Sequence, residues 1–153
     1  MPLQAVIRRL DGKFPAELFG TIKASASEYL SRCKLRDPTQ FSLWCLQEQA
    51  HWVSLEDGGL ILTDWRPGLL VRVHPLVWGR KMVVDRDYQQ EVLRWVARTC
   101  KVKRVEALVP LEAPRGLSRW CYRSGLRYEG TLRSATQWRG VITDGLMFAF
   151  VEA

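Results

Sequence analysis

The feature that most constrains the fold is a change of period in mid-chain. Leu69–His74 and Val102–Val109 alternate like strands. Between them, Asp85–Cys100 sets Tyr88, Val92, Trp95, Val96, Thr99 and Cys100 on one helical stripe. A helix of that length between two strands predicts that the strands run parallel in one sheet, joined by a right-handed crossover. Asp85 or Asp87 can accept from the free amides of the first turn, and Arg98 stands where the helix dipole favours a cation.

Antiparallel elements are expected around this unit. Leu18, Phe19, Ile22, Ala26, Tyr29 and Leu30 predict a helix over Pro15–Cys33, closed off by Asp37-Pro38. Phe41–Gln47 alternates and reads as a strand, followed by His51–Leu55. Asp57-Gly58-Gly59 then turns into Leu60–Trp65, and Arg66-Pro67-Gly68 turns into Leu69–His74. Pro114–Ser124 reads as a short helix with Gly125 as its stop, because glycine takes a left-handed conformation without strain. Leu126–Trp138 turns at Arg139-Gly140 into Val141–Val151. The expected fold is α+β, with a mixed, mostly antiparallel sheet. A chain of 153 residues suits one domain that buries roughly two-thirds of its unfolded surface. Its parts would be an N-terminal helical region (1–40), a meander (41–74), a strand–helix region (75–125) and a C-terminal hairpin (126–153).

Charge narrows the partners. The 23 basic residues against 16 acidic ones leave a net charge of +7. That favours an anion: nucleic acid, a phosphorylated cofactor or an acidic protein surface. The seven tryptophans and the arginines do not cluster into a recognised nucleic-acid motif, so nucleic acid ranks last of the three. The longest apolar run, Leu146–Val151, is far too short to span a bilayer, and the expectation is a cytoplasmic protein that does not contact membrane. Cys33, Cys45, Cys100 and Cys121 contain no C-x-x-C pair, and His51 and His74 stand apart. Reduced, buried thiols and no metal site are expected.

Two stretches then point to a family. Gly125-Leu126-Arg127-Tyr128-Glu129-Gly130-Thr131-Leu132-Arg133, with Gly140 and Asp144 after it, resembles the G-F-x-x-E-G-x-x-R, G and D pattern of the GCN5-related N-acetyltransferases. The similarity is to protein-directed, ribosomal-protein-type and phage-encoded members. Val73-His74-Pro75, with Gly79 beyond, falls where that family places its acetyl-CoA loop. The resemblance covers about Phe41 to the C-terminus.

The resemblance implies that the two parallel strands splay, with pantetheine of acetyl-CoA along Leu70, Val71, Arg72 and Val73. It puts the pyrophosphate on Gly79, Arg80, Lys81 and Met82, where unpaired amides at a helix start favour an anion. It also implies direct acetyl transfer to an amine acceptor, a protein α-amine or lysine among the candidates. Glu106 and Tyr122 are offered for proton handling. His74 and Asp144 read as packing or turn residues, Glu129 as a structural or docking carboxylate, and Arg115, Arg119 and Arg123 as one basic helix face. Lys81 and Val83 occupy the family's signature glycine positions, Leu111–Pro114 lacks its asparagine, and Cys121 stands where its tyrosine often lies. The alternative is therefore a catalytically degenerate relative serving as a phage structural or protein-binding component. A homodimer through the apolar last strand is left open.

Overall fold

The crossover helix forms as its caps demand. Asp85, in extended conformation, accepts from the Tyr88 amide at 3.0 Å, and Lys101 closes the helix in the left-handed region (φ +55°). Val92, Leu93, Val96, Ala97 and Cys100 form its buried stripe; Thr99, expected there, is exposed. The computed structural model describes residues 3, 5–25, 30, 34–56, 58–77 and 80–151. Tyr29, Cys33, Asp57, Trp78 and Gly79 lie outside the described residues.

In chain order the elements are β1 (Ile7–Arg9), α1 (Phe14–Ser25), α2 (Pro38–Gln47), β2 (His51–Leu55), β3 (Gly58–Arg66), β4 (Leu70–Val77), α3 (Arg80–Val84), α4 (Arg86–Cys100), β5 (Arg104–Pro110), α5 (Arg115–Arg123), β6 (Arg127–Trp138) and β7 (Val141–Val151). Among the described residues they build one mixed, seven-stranded sheet in the order β1-β2-β3-β4-β5-β7-β6, with β4 and β5 parallel and the other neighbours antiparallel. This is the expected α+β architecture.

Each face of the sheet carries a core. Val53, Leu60, Leu62, Val71, Val73, Val105, Ala107, Val109 and Phe148 pack under α4 and α5. Trp52, Ile61 and Leu76 face the opposite way, against Leu18, Phe19 and Ile22 of α1 and Phe41 and Cys45 of α2. Gly59 is required there: a Cβ would lie 2.1 Å from the Trp52 ring. Burial pushes the Cys45, Cys100 and Cys121 thiols up to about 12, so none is a nucleophile at neutral pH.

One expectation is corrected. Phe41–Gln47 is not a strand but most of α2. Asp37 does not end a helix; it starts one, accepting from the Gln40 amide at 2.9 Å with Pro38 in the first helical position. Gln40 in turn accepts from the Arg36 amide at 2.7 Å, a variant of the capping box. Buried Phe41 and Cys45 are four apart, while Leu43 and Leu46 are exposed, so the apolar residues follow the helical period after all. Strand β1 was not expected at all; its three residues pair with β2.

Candidate active site

A strand turns the backbone groups of alternate residues to alternate sides. The Leu69 carbonyl accepts from the Arg104 amide at 3.1 Å, so the odd-numbered residues of β4 face β5. The ladder runs Leu70–Arg104, Val71–Val105, Arg72–Glu106 and stops, although β4 continues to Val77 and β5 to Pro110. The reason is in the residues. The first open rung, Leu108 N–H toward the Val73 carbonyl, has both of its groups, but the rungs beyond it would need N–H donors from Pro75, toward Leu108, and from Pro110, toward Pro75, and proline has none, so nothing there draws the strands back together. Beyond the last rung the two strands form a fork. The carbonyls of Val73 and Pro75 and the N–H of Val77 on one arm, and the N–H of Leu108 on the other, have no partner in the ladder.

At the crotch of the fork sits Glu106, only 6% exposed. Arg72 donates to its Oε1 through Nη2 at 2.7 Å and Nε at 3.1 Å, and Arg104 donates to Oε2 at 2.9 Å. The chain of charges extends both ways. Arg72 lies 3.6 Å from Asp64, and Arg104 makes a two-pronged pair with Glu129 at 2.7 and 3.1 Å. Glu129 is the extra residue of a bulge in β6 between Tyr128 and Gly130, and Gly130 takes the required φ of +148°. The bulge aims Glu129 toward Arg104, which holds its carboxyl below the usual range. Between them runs Ala149 of β7, in register with both Glu106 and Arg127.

The sequence candidates distribute unevenly over this geometry. Leu70, Val71 and Arg72 stand in the zipped half; of that set only Val73 reaches the fork. Both oxygens of Glu106 are held by arginines. Tyr122 is exposed on α5 and packs edge-on at 5.1 Å against Phe148 of β7, which pairs with Ala107 of β5. Arg80 begins α3. Lys81 pairs with Glu56 at 3.2 Å, which raises its pKa, and rests over the Tyr88 ring. The Met82 side chain is wholly buried, and its carbonyl accepts from Gln89 at 2.6 Å. Val83 is exposed rather than wedged inward. His74 bonds Thr63 at 2.8 Å and meets Trp44 edge to face, while Asp144 accepts from the Ser134 amide. Sequence reasoning reached Pro75 only as part of the Val73-His74-Pro75 stretch, and it missed Val77, Leu108 and Pro110. Two prolines near facing strand ends were the available signal.

Beyond the Leu111–Asp144 backbone bond, β6 and β7 run on to a tip at Arg139-Gly140, where a Cβ on Gly140 would lie 1.9 Å from Lys34 Cε.

No family model and no curated protein matches the sequence. Solved structures do match its fold. An acetyltransferase of Salmonella typhimurium, described as modifying the N-terminal serine of ribosomal protein L7/L12, superposes with a TM-score of 0.70 at 11% identity, over 97% of this chain and 95% of that one. The microcin C7 self-immunity acetyltransferase MccE, solved with acetyl-CoA and AMP, gives 0.66 at 12% identity over 95% and 92%. RimJ of Mycobacterium smegmatis, solved with a CoA disulfide, gives 0.65 at 16% over 99% and 90%. The chain has the fold of the GCN5-related N-acetyltransferases, with its parallel central pair flanked by helices. Among the described residues no cluster of His, Cys, Asp or Glu is arranged to hold a metal, and no helix is long and apolar enough to cross a membrane.

Proposed function

We propose that the chain is an N-acetyltransferase that takes acetyl-CoA as co-substrate and acetylates an amine. The observation that carries this reading is the fork. Its open rungs supply donors and acceptors, which suit the amides of a pantetheine chain. Support also comes from fold neighbours solved with acetyl-CoA or CoA.

Acetyl-CoA would supply an acetyl thioester to a direct transfer. The protein's part is binding, orientation and proton handling. Val73, Pro75 and Val77 would take the place assigned to Leu70–Val73, with Val73 common to both sets. The phosphates would lie toward residues 79–82, with first-turn amides of α3 and the Lys81 charge as the attractive groups. The Leu108 N–H is placed to donate to a carbonyl oxygen as it gains charge. Glu106 serves best as the clamp at the base of the fork, since both of its carboxylate oxygens already accept from guanidinium groups. The proton of the amine would leave through water at the mouth.

Titration calorimetry and thermal shift with acetyl-CoA test the reading. At a hundred times the dissociation constant the cofactor should add about 2.7 kcal/mol of stability. No shift at millimolar acetyl-CoA would remove it and favour the degenerate, protein-binding alternative. If binding occurs, Lys81→Glu should weaken it, and unchanged affinity would move the phosphates away from α3.

A further inference from the structure

Where the hairpin tip meets the helices there is a cleft of about 530 Å³, a size that takes a short stretch of peptide. Its floor is apolar: Phe19 of α1, Leu30 and Leu35. Its rim is cationic: Lys23 of α1, Lys34, Arg36 and, from the hairpin, Arg139. Among the described residues no carboxylate lines it. Like charges that converge repel one another, so the convergence of these four favours an anion between them. Arg139 is held in the left-handed region (φ +51°) at the turn, beside Gly140 packed on Lys34. The two sides of the cleft, more than a hundred residues apart in sequence, thus meet where Gly140 packs on Lys34.

We propose that this cleft selects the acceptor, and that the acceptor is an acidic peptide segment. The selection rests on the transferase reading; the anion preference does not. A lone small anion would use the rim and leave the apolar floor wet, whereas a peptide with carboxylates flanking an apolar residue covers both. Under the transferase reading, a peptide held there by its acidic residues would present its free amine to the bound thioester.

The test uses the full chain and short fluorescent peptides of equal length, acidic, neutral and basic, each with a free α-amine. Anisotropy without acetyl-CoA should show the acidic peptide bound most tightly, with affinity falling as salt rises. Arg139→Glu and Lys34→Glu should each weaken it about tenfold, and Arg139→Gln less, with circular dichroism unchanged. Equal binding of acidic and basic peptides, or affinity for inorganic phosphate without affinity for the acidic peptide, overturns the proposal. Acetyl-CoA uptake, measured separately, divides the two readings. Acidic-peptide binding without acetyl-CoA binding keeps the anion site but removes its acceptor role. Acetyl transfer that ignores peptide charge keeps the transferase and removes the acidic acceptor.

Discussion

The lower and upper halves of the β4–β5 pair are the same two strands treated in opposite ways. Below, three registered residue pairs are zipped and then tied across by Asp64, Arg72, Glu106, Arg104 and Glu129. Above, Pro75 and Pro110 remove the donors that would continue the zipper. The lower half keeps the parting point in place, so the upper half can leave polar backbone unpaired without the gap spreading. A cleft in a sheet needs both: a device that opens it and a device that stops the opening.

Breaking the clamp should have the largest effect. Glu106→Ala leaves two guanidinium groups without their shared carboxylate. Both arginines are about a quarter exposed and can turn to water, so the loss should fall near 2 kcal/mol, below the range for fully buried pairs. Urea denaturation measures it. Glu106→Gln should lose less, and if it retains acetyl-CoA affinity and transfer, the carboxylate is not the base. Next comes the upper half itself. Gly145 lies opposite Pro110, and a Cβ there would meet Leu108 Cδ1 at 2.6 Å. Gly145→Val should cost about 1.5 kcal/mol through overpacking and displace Leu108 at the fork, lowering kcat more than stability alone explains.

Pro75→Val sharpens the comparison in the other direction. It restores one donor facing β5, so the protein should gain up to about 1 kcal/mol while acetyl-CoA affinity falls as the fork narrows. Unchanged affinity would show that the prolines accompany the opening without maintaining it. The smallest effect concerns pH. Arg104 holds the folded-state pKa of Glu129 below its unfolded value of 4.5. Its contribution is therefore present above that value and is lost as pH falls through the lowered one. The Tm difference between the natural chain and Glu129→Gln should shrink through that window, and a constant difference would mean the pair contributes nothing through charge.

Much of the fold was legible because its signals are local. Asp85 with the Val92–Val96–Cys100 stripe, Gly125 after α5, and Arg139-Gly140 between long alternating runs each specify their element from a few adjacent residues. Phe41–Gln47 went the other way because alternation and helical period overlap in a short apolar run, and the deciding cap, Asp37-Pro38-Thr39-Gln40, was taken for a stop. The site was less legible. Strand–helix–strand order placed the parallel pair, but which residues lie past its last rung depends on register, and register is a property of two strands together.

What the chain carries by itself, then, is the crossover, the caps, the turn glycines and the two prolines that cannot donate, since each acts through its own backbone. Only the folded molecule decided that Glu106 is a clamp between arginines, and that Lys34, Arg36 and Arg139 share a cleft. Charge acts across a few ångströms of space, and only packing brings distant residues that close.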